Sequence, residues 1–444
     1  MTSGQYPSWG RIDFGPQTGV RFDQRSTALP TTETGKSVLA YGNGRSYGDS
    51  CLNTGGVLID CRHLDRFISF DDGNGVLRCE AGVLLADILD VAVPRGWFPP
   101  VSPGTRLVTV GGAIANDVHG KNHHRAGTFG CHLRCFELLR SNGDRLLCSP
   151  DENQEYFQAT IGGLGLTGVV TWAEIQLKPI SCAYIDQEVI RFHDLAEFFR
   201  LSEASDEEFE YTVAWIDCLA KGSSLGRGLF VRGNHARTAP NVAPKAPREG
   251  LSMPFTPPVS LVNRLSLRAF NTLYFRKQRG DRATSQVHYR PFFYPLDAIG
   301  NWNRMYGPKG FYQYQCVLPP AHGDTGMAKI LQTIAAAGMG SFLAVLKVFG
   351  DRASPGLMSF PRPGVTLALD FPNSGAKVRG LLDQLDAITG EYGGAVYPAK
   401  DARMSADIFR QAYPALDEFV KFVDPAFSSS FWRRVGGAVS QDVC

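Results

Sequence analysis

Three glycine-rich segments in the amino-terminal part of the chain have the composition of loops that surround a phosphorylated ligand. The first is Gly42-Asn-Gly-Arg-Ser-Tyr-Gly48, where glycines let backbone N–H groups approach an anion and Arg45 adds a positive charge. The others are Ser102-Pro-Gly-Thr105 with the following Thr109–His124, and Gly163-Leu-Gly-Leu-Thr-Gly168. One such loop occurs in many tight turns, but three in one domain predict a large phosphorylated cofactor.

The segment Gly163–Gly168 matches the letters of the dinucleotide fingerprint GxGxxG. That fingerprint requires a strand before it and a helix after it. Here residues Asn153–Ala159 have a helical pattern and precede it, whereas a β-branched run begins at Val169. The reversed order argues against a nicotinamide-type dinucleotide domain.

A histidine cluster consisting of His119, His123 and His124 allows a metal interpretation, because histidines four residues apart on a helix can bind zinc. The segment Val118–Asn122 that joins them is a poor helix former. We therefore predict no metal site, and expect His123 and His124 to be hydrogen-bonded structural residues in or near the core.

Short strands must position these loops, because brief apolar runs alternate with glycine turns up to about residue 180. The predicted strands are Ser37–Tyr41, Gly56–Asp60, Val76–Glu80 and Val169–Leu177. Helical spacing over Leu84–Val93 ends at Pro94. The pattern predicts an α+β domain without a regular βαβ repeat.

The stretch of residues 239–280 combines an exposed loop with a basic helix. Its prolines predict the loop and are Pro240, Pro244, Pro247, Pro254, Pro257 and Pro258. Its basic residues, with no acid between positions 260 and 280, are Arg264, Arg268, Arg276, Lys277 and Arg279. An apolar residue recurs at every fourth position, at Leu261, Leu265, Ala269 and Leu273. Such a helix can lie on an anionic membrane surface; the alternative is a core-facing helix with a solvated basic face. A further amphipathic helix is predicted over Lys377–Tyr392.

The bulk composition is that of a folded, water-soluble protein. The 444 residues are 43% hydrophobic and 20% charged, with a formal net charge of +2, which gives no general attraction to nucleic acid. We see no signal peptide and no apolar run of about 18 residues. The expected location is cytoplasmic, or peripheral on the inner membrane.

The order of the glycine loops resembles the FAD domain of the vanillyl-alcohol-oxidase-type flavoproteins. The matching strings are GxGRSYG at residues 42–48, SPGT at 102–105, TVGGAIAxDxHGKNHH at 109–124 and GGxGLTG at 162–168. The likeness continues into the second half of the chain and is strongest for the branch that oxidises lipid-linked pentoses.

This resemblance implies a two-domain α+β flavoprotein. We expect an FAD-binding domain over residues 1–180, a substrate-binding domain on an antiparallel sheet over 181–393, and a segment, 394–444, that returns to the first domain. Many relatives attach the flavin to a histidine where this chain has Tyr47, so FAD should be bound non-covalently. The residues expected to bind it are Tyr41, Gly42, Asn43, Gly44, Arg45, Ser46, Tyr47, Gly48, Gly104, Thr105, Thr109, Val110, Gly111, Gly112, Asn116, Asp117, Val118, His119, Val170 and Tyr397.

The same resemblance implies a substrate pocket next to the flavin. The residues expected to handle protons or stabilise charge are Tyr47, His119, Lys121 and Lys400. The residues expected to bind substrate are Tyr306, Gln315, Lys347 and Ala368. Relatives often carry a cysteine, the attachment point of nitroaromatic inhibitors, where this chain has Ala368. We therefore expect such inhibitors to bind this protein reversibly, so that mass spectrometry finds no covalent adduct near Ala368.

The expected reaction is oxidation of the 2′-hydroxyl of a polyprenyl-phosphoryl-β-D-ribose to a 2′-keto sugar. A separate short-chain reductase would complete an epimerisation that makes the arabinose donor for cell-envelope glycans. One alternative is an aldonolactone or alditol oxidase that acts on free sugars with oxygen. Another is a flavin-binding protein without catalytic activity.

Overall fold

A computed structural model describes residues 6–32, 35–240, 251–278 and 280–436. Pro244, Pro247 and Arg279, which belong to the predicted loop and basic helix, lie outside the described residues.

Among the described residues, the first 180 positions form small sheets from short strands. In chain order the strands are β1 (Thr18–Arg21), β2 (Val38–Tyr41), β3 (Val57–Asp60), β4 (Phe67–Asp71), β5 (Val76–Glu80), β6 (Trp97–Phe98), β7 (Leu133–Leu139), β8 (Arg145–Cys148), β9 (Val169–Gln176) and β10 (Lys178–Pro179). Parallel strands form one sheet in the order β1-β3-β2, and antiparallel strands form another in the order β4-β5-β9-β7-β8. The predicted strands are confirmed to within about one residue.

Short helices connect these strands: α1 (Leu85–Ala92), α2 (Val110–Ala115), α3 (His123–Ala126) and α4 (Gln154–Thr160). The predicted helix before Pro94 is α1, and α4 precedes the GxGxxG segment while β9 follows it, which confirms the reversed order. Thr109 caps the start of helix α2, because its hydroxyl accepts a hydrogen bond from the N–H of Gly112 at 3.1 Å.

The remainder of the chain is built around an eight-stranded antiparallel sheet. The further strands are β11 (Tyr184–Phe192), β12 (Tyr211–Ile216), β13 (Gly228–His235), β14 (Leu251–Ser252), β15 (Arg282–His288), β16 (Ile299–Gly300), β17 (Phe311–Leu318), β18 (Val345–Phe349), β19 (Gly364–Pro372) and β20 (Ala395–Val396). The sheet order is β15-β11-β13-β12-β18-β19-β17-β20, and β14 pairs with β16 separately. Together with the first sheets, this confirms the α+β class on an antiparallel framework.

Helices pack on this sheet and complete the core. They are α5 (Leu195–Glu203), α6 (Arg264–Lys277), α7 (Tyr289–Phe293), α8 (Gly323–Ala337), α9 (Ala376–Glu391), α10 (Ala406–Ala412), α11 (Leu416–Val420) and α12 (Ser430–Val435). The largest apolar cluster includes Leu331 of α8, Leu385 of α9 and Leu367 of β19. The amphipathic pattern over residues 377–392 thus predicted α9 correctly.

The described C-terminal residues return to the first sheet. The N–H of Val38 in β2 donates to the carbonyl of Ala426 at 2.8 Å, and its carbonyl accepts from Ser428 at 3.0 Å. This return, and the change of sheet between β10 and β11, favour the expected domain boundaries, which stay a prediction. Within the described ranges, no helix has the length and apolarity needed to cross a membrane.

Candidate active site

A cavity of about 590 Å³ lies where the glycine loops meet the eight-stranded sheet. One part of its wall is backbone-rich and comes from the loops after β2 and around α2. The other part carries polar side chains from β17, β18 and β19 and from the turn after β20. The cavity therefore combines a surface suited to a flat cofactor with a cluster of groups that can do chemistry.

Most of the residues predicted for cofactor and substrate meet on this wall. Those that line the cavity are Tyr41, Gly42, Asn43, Gly44, Arg45, Ser46, Tyr47, Gly104, Thr105, Thr109, Gly111, Gly112, Asn116, Val118, His119, Lys121, Val170, Gln315, Lys347, Ala368, Tyr397 and Lys400. Their roles remain predictions, but the tertiary structure brings residues more than 350 positions apart in sequence to one site.

Two residues predicted to bind the cofactor do not line the cavity. One packs against backbone and the other is buried in the apolar core. A Cβ at Gly48 would lie 1.6 Å from the carbonyl oxygen of Asp401, so Gly48 packs against the backbone of that turn. Val110 is fully buried, with Ala113 and Ile114 of the same helix, in an apolar cluster.

Asp117 also lies behind the wall, where it ties two loops together. Its buried carboxylate accepts hydrogen bonds from the N–H of Gly130 at 2.8 Å and from the hydroxyls of Ser354 and Ser359. The structure thus gives Asp117 a structural set of partners rather than a place on the cavity surface.

Tyr306 reaches the site indirectly. Its buried ring stacks on Phe311 with 4.1 Å between ring centres, and its hydroxyl donates to the Oδ2 of Asp370 at 3.2 Å. It is Asp370, and not Tyr306, that lines the cavity.

Polar atoms without partners indicate what the loop side of the cavity holds. Among the described residues, the Nε of Arg45 and the Oγ of Ser50 are buried without a hydrogen-bond partner, and both residues line the cavity. A Cβ at Gly42 would lie 2.4 Å from the Oγ1 of Thr109, so only glycine fits where this loop meets the start of α2. Unpaired donors beside close-packed glycine loops fit a cofactor with a phosphate backbone.

His119 is the centre of a hydrogen-bonded cluster on the sheet side. Its Nδ1 lies 2.9 Å from the Nζ of Lys347, and its Nε2 lies 3.0 Å from the side-chain amide of Gln315. The Nζ of Lys347 also donates to the carbonyl of Gly120 at 3.0 Å. The nitrogen of the Gln315 amide is the atom that faces Nε2, so with a lysine donating to Nδ1 a proton on Nε2 is satisfied only when this amide turns its oxygen toward the imidazole.

Burial changes the protonation of this cluster. Burial, followed by the positive charge of Lys347, holds the pKa of His119 well below 6.5, so the imidazole is neutral at physiological pH. Burial, followed by the charges of Lys121 and Lys400, lowers the pKa of Lys347 to about 7.

The other two lysines are affected in the same direction. Burial lowers the pKa of Lys121 to about 8. Burial lowers that of Lys400 to about 7, although the negative charge of Asp370 acts in the opposite sense. The Nζ of Lys400 lies 3.9 Å from the ring centre of Tyr47. The cavity thus holds amines that exchange protons near neutral pH, as groups in active sites commonly do.

Comparison with known sequences assigns the chain that forms this cavity to a protein family. Residues 27–149 match the FAD binding domain. Over 426 residues the chain is 39% identical to the decaprenylphosphoryl-β-D-ribose oxidase of Mycolicibacterium smegmatis, an alignment that covers 93% of this chain and 92% of that protein. The chain belongs to the decaprenylphosphoryl-β-D-ribose oxidase family. It is an FAD-dependent oxidoreductase, and FAD is its cofactor.

The chain is also similar to proteins with other names. An uncharacterized protein of Streptomyces coelicolor is 34% identical over 80% of this chain and 100% of its own length. Cytokinin dehydrogenase 6 of Oryza sativa is 29% identical over 39% of this chain and 35% of its own length. The second alignment covers only part of each chain.

Several residues that line the cavity were missed by reasoning from the sequence. They are Ser50, Asp297, Gln313, Thr366 and Asp370, together with Gly165 and Gly168 of the GxGxxG segment. The strings Phe311-Tyr-Gln-Tyr-Gln315 and Asp370-Phe-Pro372 also resemble the flavoprotein family, so Gln313 and Asp370 had a signal, as did the two glycines of the Gly163–Gly168 motif. The other polar residues lie at unremarkable positions in strands or loops.

The two histidines that follow His119 lie away from the cavity wall, and of the hydrogen bonds expected for them the structure shows only that of His124 over the ranges it describes. His124 Nε2 lies 2.9 Å from the carbonyl of Phe209, in agreement with the expected structural role. His123 is buried with its ring 4.4 Å from that of Phe349, but among the described residues neither of its nitrogens has a hydrogen-bond partner. No group of three or more potential metal ligands occurs in the described part of the chain.

Proposed function

We propose that the protein oxidises the 2′-hydroxyl of a polyprenyl-phosphoryl-β-D-ribose to the 2′-keto sugar. The supporting observation is the cavity that joins the FAD loops to the cluster of His119, Gln315 and three lysines, in a chain aligned over nearly its whole length with a decaprenylphosphoryl-β-D-ribose oxidase. A binding pocket with several cationic groups suits an anionic, phosphorylated sugar.

The cofactor would be held by the loop side of the cavity. Arg45 and Ser50 offer donors to its phosphates, and the glycines of residues 42–44 allow close backbone contact. Tyr47 occupies the position where relatives attach the flavin to histidine, so we propose non-covalent binding. When bound, FAD supplies the acceptor for the hydride that leaves the sugar carbon.

The side chains on the sheet side would orient the sugar and accept its hydroxyl proton. A free amine of Lys347 or Lys400 is available at neutral pH because burial lowers both pKa values to about 7. Gln315, held between His119 and Thr366, offers an amide to a sugar hydroxyl. Among the described residues Lys121 forms no ion pair, and its Nζ lies 5.1 Å from the ring centre of Phe292. Lys121 is therefore our candidate for binding the substrate phosphate.

Anaerobic mixing tests the substrate directly. Holoenzyme mixed with a short-chain polyprenyl-phosphoryl-β-D-ribose should lose its flavin absorbance near 450 nm, whereas free ribose and alditols should leave it unchanged. Bleaching by free polyols with rapid peroxide formation in air would favour the alditol-type oxidase. An unchanged spectrum with every pentose derivative and every polyol would overturn both and leave a flavin-binding protein without this activity.

We also propose that the protein meets its lipid-linked substrate at an anionic membrane surface. Nine large hydrophobic side chains are exposed among the described residues, and seven of them lie between positions 251 and 299. These are Leu251, Phe255, Val259, Leu261, Leu265, Leu273 and Ile299, which we call the apolar surface. Ile299 also lines the cavity and pairs with Leu251, so the apolar surface continues to the cavity wall.

Helix α6 supplies the charge that complements anionic lipid. Leu265 and Leu273 of the predicted apolar row are 79% and 71% exposed, so this row does not face the core. The same helix carries Arg264, Arg268, Arg276 and Lys277, and residues 251–278 contain no acid. Exposed leucines beside cations are typical of helices that lie at a membrane interface.

Flotation with liposomes tests this contact. The protein should float with vesicles that contain phosphatidylglycerol and remain with the soluble fraction in phosphatidylcholine alone. The pair Leu265→Ser and Leu273→Ser should abolish flotation. The matched control changes the two exposed hydrophobic residues elsewhere, Phe67→Ser and Leu147→Ser, and should float as the wild type does. Equal flotation of both pairs would exclude the apolar surface as the contact.

The keto product implies a second enzyme. Epimerisation at the 2′ carbon requires that a reductase return a hydride to the opposite face, and we propose a separate short-chain reductase for this step, in the synthesis of the arabinose donor for cell-envelope glycans. Incubation of the oxidised product with such a reductase and NADH should yield the arabino epimer. Recovery of only the ribo sugar would argue against this role.

A further inference from the structure

We propose that the side-chain oxygen of Gln313 is a hydrogen-bond acceptor for the bound ligand, and that Asp370 is the positioning residue that keeps this oxygen free. The ligand group it would take is an N–H or O–H donor. Either the imide N–H of the flavin or a hydroxyl of the sugar has that chemistry. The sugar alternative rests on the proposed function, whereas the flavin alternative does not.

The geometry around Asp370 fixes the amide. Asp370 is buried and lines the cavity, and its Oδ1 accepts from the Nε2 of Gln313 at 2.7 Å. Its Oδ2 accepts from the hydroxyl of Tyr306 at 3.2 Å. An ionised carboxylate can only accept hydrogen bonds, so it selects the amide orientation in which nitrogen faces it.

The opposite end of the amide is left without a partner. The Oε1 of Gln313 is buried and makes no hydrogen bond among the described residues, although Gln313 lines the cavity and the phenol of Tyr47 lies beside its amide. A buried carbonyl without a partner is costly, which makes it a strong acceptor for a ligand that arrives with a donor. Gln315, two residues along the same strand, differs because its amide is already bonded to His119 and Thr366.

Asp370 also makes this arrangement sensitive to pH. Burial raises its pKa to about 7, while Gln313, Lys400 and Tyr306 act in the opposite direction. Tyr47 is the other titratable group that faces it, and burial keeps the pKa of that phenol well above 10, so it stays neutral. A protonated Asp370 can donate to Oε1, which would turn the amide and remove the acceptor from the cavity. Binding should therefore weaken as the pH falls through about 7.

Titration of the apoprotein with FAD is the first measurement. In Gln313→Met at pH 8, the Kd for FAD should rise about tenfold if the flavin is the donor. If the sugar is the donor, the Kd for FAD should stay unchanged and the Kd of the polyprenyl-phosphoryl-ribose for the holoenzyme should rise about tenfold instead. Gln187→Met, on β11 and outside the cavity, is the matched control and should change neither constant.

The isosteric Asp370→Asn tests the positioning. The ligand to be followed is the one, FAD or the sugar, whose Kd rises in Gln313→Met. Wild-type protein should bind that ligand more weakly at pH 6 than at pH 8, and Asp370→Asn should bind it equally at both pH values. Circular dichroism and thermal melting verify that both variants are folded. If Gln313→Met binds both ligands as the wild type does, the acceptor is overturned. If the pH-dependent loss of affinity persists in Asp370→Asn, the role of Asp370 is overturned. Both results are read from binding constants and do not require that the enzyme turn over its substrate.

Discussion

At the scale of single residues, the site depends on three lysines whose pKa values are lowered by burial. Lys347 and Lys400 have pKa values near 7, and that of Lys121 is about 8. Each is therefore protonated below its pKa and neutral above it, within the range where the enzyme would operate. The neutral imidazole of His119 acts beside them as a hydrogen-bonded support for Gln315 and Lys347.

The first prediction concerns Lys121. Lys121→Met should raise the KM for a polyprenyl-phosphoryl-β-D-ribose about tenfold, because a hydrogen bond to a charged group contributes about 1.5–3 kcal/mol. The pKa of about 8 gives the sign of the pH effect: the wild-type KM should rise above pH 8 as the ammonium is lost, and this rise should be smaller in the variant. Steady-state kinetics from pH 6.5 to 9 measure both, and a KM that does not respond to Lys121→Met would place the phosphate elsewhere.

At the scale of elements, α6 shows two faces with different roles. Its inner face packs on the sheet through Leu267, which is 2% exposed, and through Tyr274, whose ring lies 4.7 Å from that of Trp215. Asn271 on the same face donates to the Oδ1 of Asp217 at 2.7 Å. The outer face carries the exposed leucines and the cations. The helix is therefore anchored by one face and available for lipid on the other.

The second prediction compares a substitution on the buried face of α6 with the same substitution on its exposed face. Leu267→Ala removes buried apolar volume and should lower the free energy of unfolding by about 2–5 kcal/mol. Leu265→Ala, on an exposed site of the same helix, should change it by less than about 0.5 kcal/mol and instead weaken liposome binding. Urea denaturation and flotation measure the two effects. A large loss of stability in Leu265→Ala would mean that this leucine is packed and not exposed.

At the scale of the whole molecule, an ion-pair network joins distant parts of the chain next to the site. Arg434 of α12 contacts the buried carboxylates of Asp49 at 2.7 Å and Asp401 at 3.0 Å. Asp49 follows the first glycine loop, and Asp401 follows Lys400 directly. The C-terminal helix thus stabilises both the cofactor loop and the turn that carries a predicted catalytic lysine.

The third prediction concerns the loss of the ion pairs made by Arg434. Arg434→Met leaves two buried carboxylates without their cation and should lower the free energy of unfolding by about 3–5 kcal/mol at pH 8. Burial raises the pKa of Asp49 and the Arg434 cation opposes this rise, so removal of Arg434 should raise that pKa further. The loss should therefore be smaller at pH 5, where Asp49 binds a proton more readily than at pH 8. Thermal denaturation at both pH values measures this. A loss that is equal at pH 5 and pH 8 would show that packing and not charge is responsible.

The features that could be predicted from the amino-acid sequence alone are local ones. Glycine loops, short strand runs and the helix before Pro94 follow from the conformations that adjacent residues allow, and the specific strings around residues 42–48 and 109–124 identified the flavoprotein family. Helical spacing likewise located α6 and α9 in the chain.

Tertiary structure decided which of these residues share a site and which faces are exposed. The bond between Gln313 and Asp370 arises because β17 and β19 pair in a register that places residues 57 positions apart opposite each other, and no local pattern encodes that register. The exposed row of α6 was ambiguous in sequence because the face that a helix buries depends on what it packs against. Here Trp215 and Phe342 contact Tyr274 and Phe270 and leave the leucines to the surface.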